Sequence, residues 1–186
     1  CKRYMKMEIK ELLRECFKTA QKEEKSGKKH KGLLIKKSDI EEAKKYIAKA
    51  KESLEWCEIY RERGADYKIP EEWFYALYYC ALAILEKFGV ETRSQRYTAL
   101  FLRYVKDKAL IEYDDDLIDR ITVHKEKEKK SYVDEREKAR YSSAVKLKEV
   151  EKDYDKKTDV CRRAIAQCEE IIFSDEKLKV PEELIK

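Results

Sequence analysis

Residues that reverse the chain are scarce: 4 Gly and 2 Pro in 186 residues. Hairpins and sandwiches draw on such residues at every turn, so a many-turned β protein is excluded and a few long elements are expected. Histidine is scarcer still, with only His30 and His124. Six cysteines are present, yet no Cys-x-x-Cys occurs and neither histidine lies near a close cysteine pair, which argues against a zinc site. Cys57, Cys80 and Cys168 fall at apolar positions of helical patterns, so buried reduced thiols are expected, as in a reducing cytoplasm. No apolar run approaches the ~18 to 20 residues of a membrane span, and no signal-peptide core precedes the basic start. Cys1 is read as a trimmed start, with Met5 or Met7 as alternative start codons, rather than as a lipid attachment point. A cytoplasmic protein without metal, cofactor or membrane contact is the expectation.

What fills the chain is charge: 45% charged residues beside 42% hydrophobic ones. The 44 basic and 39 acidic residues leave a net charge of only +5, so most should pair along exposed helix faces. Enrichment in Lys and Glu suits a protein from a hot environment, and long solvated helices produce the same bias. The length allows a substantial core, and an all-α fold with one core is expected. The charge is uneven. Residues 1–37 hold thirteen basic and five acidic side chains, a net +8 that exceeds the whole-chain excess, so this arm is the electrostatic pole.

Periodicity divides the chain into three parts. Residues 1–37 form a basic helix, with Ile9, Leu12, Leu13, Cys16, Phe17 and Ala20 on one side, followed by a Gly- and Lys-containing linker in which Leu33, Leu34 and Ile35 dock on the core. Residues 38–173 form a helical bundle, and 174–186 a tail. Within the bundle, Ser38 or Asp39 caps a long helix whose Ala43, Ile47, Ala50, Leu54 and Cys57 recur at steps of three and four. Gly64 ends it, and Pro70 opens a central aromatic helix that Gly89 stops. Thr92 to Ser94 cap the next helix, Asp114 to Asp116 begin another, and Val160, Ala164, Cys168 and Ile172 mark the last long one. An antiparallel bundle with an additional N-terminal helix follows from that pattern.

The aromatic helix runs through Leu85-Glu86-Lys87-Phe88-Gly89 into a new helix start at Ser94-Gln95-Arg96, and an Arg-led segment, Arg136-Glu137-Lys138-Ala139-Arg140-Tyr141, follows. This order resembles the HEPN family, small helical bundles associated with nucleic acid and with nucleotidyltransferase partners. The resemblance covers residues 38–173. It implies a homodimer, a metal-independent ribonuclease site built across the dimer interface, and a toxin–antitoxin setting beside a nucleotidyltransferase-like protein. Active members carry an Arg followed after four to six residues by a His. Arg136 matches the first, but Tyr141 stands where the His is expected, and no His follows it.

RNA cleavage needs a base for the 2′-hydroxyl, an acid for the leaving oxygen and a cation for the phosphate. A phenol of ordinary pKa is ionised at roughly one part in a thousand at pH 7, a deficit of about 4 kcal/mol against a matched base. Arg136 and Arg140 lower that deficit only in part. On an ideal helix Arg136 and Tyr141 lie about 140° apart, so they converge at a helix end or across a dimer. Weak or lost ribonuclease activity is therefore the expectation, with Arg136, Arg140 and Tyr141 as the candidate catalytic set and an active ribonuclease using them as the alternative. Lys28, Lys29 and Lys31 in the linker, with Arg93 and Arg96 at the later helix start, are the candidate nucleic-acid-binding cations. Trp73, Tyr75, Tyr78, Tyr79, Tyr97 and Tyr104 share faces with Leu and Ile and suit core or dimer packing; their rings also have the chemistry to stack bases. A non-enzymatic protein-interaction module is the remaining reading.

Overall fold

A computed structural model describes residues 2–122 and 147–186, with side chains from Glu8 to Thr122 and from Val150 onward. The fold is all-α, built around one core, with a two-stranded ribbon set among the helices. Helix α1, Lys2–Lys25, turns Leu13, Cys16, Phe17 and Ala20 inward. Helix α2, Ile40–Glu62, begins at Asp39, whose carboxylate accepts from the Glu42 amide at 2.9 Å. Its buried Ala43, Ile47, Ala50, Ser53 and Cys57 keep the three-and-four spacing, and the small residues among them let α3 approach closely.

Helix α3, Ile69–Phe88, is the axis of the bundle. It packs against α2, α4, Gln95–Asp107, the short α5, Asp115–Ile121, and α6, Leu147–Phe173. Trp73 is wholly buried and donates its indole N–H to Thr158 Oγ1 at 3.1 Å, so the largest core side chain is also polar-satisfied. Burying it contributes on the order of 3 kcal/mol. Cys161 and Cys168 of α6 donate their thiols to the carbonyls of Trp73 and Cys80. Cys16, Cys57, Cys80, Cys161 and Cys168 are free and buried, as their apolar positions implied; burial pushes the Cys16 thiol up to about 11.

Start and stop residues act where the sequence places them. Ser94 caps α4 by accepting from the Tyr97 amide, and Gly89 ends α3 in the left-handed conformation. Asp114 and Asp116 both receive Arg163, at 2.8 and 2.6 Å, which ties the start of α5 to α6. The 3-10 turn Glu182–Leu184 brings the buried Leu184 onto the core, and Glu183 binds Lys108 and the Tyr104 hydroxyl, which hold its carboxyl down at about 2. No helix among the described residues is long and apolar enough to cross a membrane.

One element departs from the sequence reading. Leu33, Leu34 and Ile35 do more than dock: Leu33–Ile35 is a strand, β1, paired antiparallel with β2, Val90–Thr92, in the register Leu33↔Thr92, Leu34↔Glu91, Ile35↔Val90. Three residues give no period to detect, and the partner strand lies far along the chain. The ribbon is what fastens the N-terminal arm, because α1 packs on β1 and on α4.

Candidate nucleic-acid interface

The turn after α1 is built by Glu23. Its carbonyl accepts from Ser26 Oγ and the Lys28 amide, and its carboxylate accepts from the Lys31 amide at 3.0 Å. With the backbone held there, Lys28, Lys29 and Lys31 point to solvent while His30 between them is buried. The strand pairing then carries this turn against the start of α4: the Arg93 amide donates to the Gly32 carbonyl at 3.0 Å. Arg93 is exposed beside Lys31, and Arg96 follows in the first turn of α4, its guanidinium 5.7 Å from the Tyr97 ring centre. A backbone bond thus joins the turn that holds Lys31 to the segment that holds Arg93, two groups distant in sequence. Lys28, Lys29, Lys31 and Arg96 form no ion pair among the described residues.

A single carboxylate organises this surface. Glu91 Oε1 accepts from His30 Nε2 at 3.0 Å and from Arg93 Nε at 3.1 Å, so one oxygen fastens the turn and orients the arginine. The buried His30 Nδ1 has no partner among the described residues. Burial tends to raise the Glu91 carboxyl, but the hydrogen bonds and charges of His30 and Arg93 outweigh it and hold the group below the usual carboxylate range. A carboxyl lowered by folding stabilises the fold above the ordinary carboxylate range, and the contribution disappears as the pH falls through the folded value. Glu91→Gln is expected to cost under about 1 kcal/mol at neutral pH, since the carboxylate is 37% exposed and screened. Urea midpoints for the two proteins should converge as the pH falls through the folded Glu91 value; a gap that persisted once the carboxyl is protonated would refute the assignment.

The segment that carried the family resemblance has structural work of its own. Glu86 is buried and forms an ion pair with Lys36 at 2.7 Å. The Lys87 ammonium is buried too, and donates to the Ile171 and Ser174 carbonyls at 2.6 and 2.8 Å, closing the end of α6. Residues 36–39 cross this end of α3 through three bonds: the Lys36 amide to the Gly89 carbonyl, Ser38 Oγ to the Lys87 carbonyl and the Asp39 amide to the Glu86 carbonyl. No local signal in the sequence gives any of these side chains its partner.

Of the aromatic series, Trp73 and Tyr104 are core residues, whereas Tyr75, Tyr78, Tyr79 and Tyr97 are half-buried. Arg136, Arg140, Tyr141 and His124 lie outside the described residues. Among the described residues no three His, Cys, Asp or Glu side chains gather in a way that would hold a metal ion. A separate cleft of about 680 Å3 lies between α1, β1 and the C-terminal turn; its apolar lining is Phe17, Leu34, Ile35, Leu184 and Ile185. Comparison with protein-family models, with curated proteins and with solved structures found no match to this chain.

Proposed function

We propose that this protein is a HEPN-like helical bundle that associates with RNA through Lys28, Lys29, Lys31, Arg93 and Arg96, and that its ribonuclease activity is weak or lost. What supports the RNA reading is the backbone bond that sets the turn carrying Lys28, Lys29 and Lys31, which form no ion pair among the described residues, against Arg93 before α4. In a chain whose charges are otherwise closely balanced, lysines left without carboxylates are suited to phosphate, whose neutralisation releases counterions. The weakness of catalysis follows from Tyr141 standing where a base of pKa near 7 is required. A homodimer in the cytoplasm, a nucleotidyltransferase-like partner and a toxin–antitoxin setting complete the reading, all by resemblance.

The test is a titration of labelled RNA from about 50 to 200 mM salt. Reversing Lys28, Lys29 and Lys31 to Glu is expected to weaken binding at least tenfold and to flatten the slope of log affinity against log salt by about 2, since each phosphate contact on a single strand is worth roughly 0.7. Salt-insensitive binding, or none, would refute the reading. The same RNA, incubated without metal, is expected to stay intact. Robust cleavage abolished by Arg136→Ala would overturn the inactive assignment, and its loss in Tyr141→Phe would establish the active alternative. A second reading, a protein-interaction module, is favoured by the cleft beside β1, where Ile35 and Ile185 are both exposed.

A further inference from the structure

We propose that the half-buried tyrosine face of α3, between α2 and α4, is the base-binding half of the basic surface, so that the ligand is single-stranded RNA and not duplex. The inference rests on the RNA reading and adds to it the kind of RNA. Most of α3 is buried, with neighbours on several sides; one stripe, which opens on Glu71 and Glu72 and runs through Tyr75, Tyr78, Tyr79 and Leu82, is not. The tyrosines of that stripe belong to a continuous chain of rings. Tyr78 stacks on the buried Phe74 at 5.5 Å, Phe74 meets Tyr75 edge-on at 5.6 Å, Tyr75 stacks on Tyr79 at 5.7 Å, and Tyr79 on Tyr46 of α2 at 6.1 Å.

The chain of rings approaches the start of α4. Tyr78 lies near Thr98, and Thr98 Oγ1 reaches Thr92 Oγ1 and the Ser94 carbonyl, both at 2.9 Å. Thr92 and Ser94 flank Arg93, and Arg96 lies two residues further on. At the other side the Lys49 ammonium stands 5.5 Å from the Tyr46 ring centre and 5.7 Å from that of Tyr79, with no ion pair among the described residues. Lys49 therefore borders the rings on the α2 side and the start of α4 lies on the other, which sets a cation for phosphate beside rings on which bases can stack. Glu72 and Glu52 lie beyond Tyr79 and mark where the track ends, since like charge repels phosphate.

Duplex RNA keeps its bases paired and offers phosphates and 2′-hydroxyls, so it would meet the cations and leave the rings unused. A second copy of this chain is the other occupant such a face could take. Dry burial of three phenols and an unpaired ammonium opposes it, because each polar group so buried needs a new partner.

The experiment measures anisotropy of a labelled twelve-nucleotide uridine strand and of a blunt RNA duplex of equal length. The wild type is expected to prefer the single strand by about tenfold, and Tyr75→Leu with Tyr79→Leu to remove that preference while duplex affinity through the lysines stays unchanged. Tyr79→Phe keeps its ring and should keep the preference. Exposed Lys49→Gln should lower single-strand affinity several-fold and carries the test if the leucine pair does not fold. Equal affinity for strand and duplex overturns the inference. So does a leucine pair that binds the strand normally, or one whose only change is from dimer to monomer in sedimentation. In each of these cases, binding that still depends on Lys28, Lys29 and Lys31 leaves the RNA reading standing. Failure of the wild type to bind either RNA overturns both.

Discussion

Lys87→Met is expected to destabilise the fold by about 3 kcal/mol, which for a chain of this size lowers the melting temperature by roughly 6 to 12 °C. A helix C-terminus leaves its last carbonyls without amide partners. In α6 the Lys87 ammonium supplies them, donating to the Ile171 carbonyl at 2.6 Å, the Ser174 carbonyl at 2.8 Å and Ser174 Oγ at 2.9 Å. Its positive charge also meets the negative end of the helix dipole. Burial lowers the amine below the ordinary lysine range, while Glu176 and Asp175 nearby favour its charge. Methionine matches the length and apolar stem and removes only the donor, so the loss reads out the buried carbonyls left unpaired. Lys37→Met, at an exposed position in the same joint, should change stability by less than about 0.5 kcal/mol. Denaturant midpoints report both, and an equal effect of the two substitutions would refute the capping role.

Lys87 also shows where sequence reading stops. The helices were legible because their signals are local: steps of three and four in α2, Asp39 and Ser94 at caps, Gly89 at a stop. Every one of those can be recognised within a dozen residues. A buried lysine cannot, because its sequence neighbours, Glu86 and Phe88, say nothing of the carbonyls it meets on α6. In a chain that is 45% charged, Glu86 and Lys87 look like two more members of a solvated face, yet both are buried and each has a partner far along the chain.

The candidate interface was legible in parts and illegible as a whole. Lys28, Lys29 and Lys31 stand out by charge, and Arg93 and Arg96 by their place at a helix start. What unites them is the pairing of Leu33–Ile35 with Val90–Thr92, a contact between distant segments that leaves no periodic trace. His30 was hidden for the opposite reason. Surrounded by lysines it reads as solvated, whereas the strand opposite supplies Glu91 to receive its ring N–H in the interior. The half-buried stripe Tyr75, Tyr78, Tyr79 cannot be told from the core in the sequence because one helical face of α3 grades into the next; only the placement of α2 and α4 separates covered rings from open ones.

Gly89→Ala tests the joint on which both the fold and the interface depend, and it is expected to cost about 3 kcal/mol or more, against roughly 1 for Gly64→Ala. Both glycines end helices at positive φ, 73° and 67°, so both variants carry the left-handed penalty of an L side chain. Only Gly89 is crowded. A β-carbon there would lie 2.5 Å from the Lys36 carbonyl oxygen and 3.0 Å from the Ser38 amide nitrogen, whereas at Gly64 it would meet nothing within 4 Å. The obstructing atoms are backbone, so relief requires residues 36–39 to move. That segment holds the Lys36 amide on the Gly89 carbonyl at 2.8 Å, carries Lys36 to Glu86 and leads directly out of β1. Displacing it loosens the ribbon that sets Lys31 beside Arg93. Gly89→Ala should therefore weaken RNA binding at temperatures where the variant is still folded, although no charge has been removed, and Gly64→Ala should not. Equal destabilisation by the two substitutions would show that the close approach of residues 36–38 contributes nothing beyond backbone conformation. Loss of stability with RNA affinity intact would show that the interface does not depend on the strand pairing.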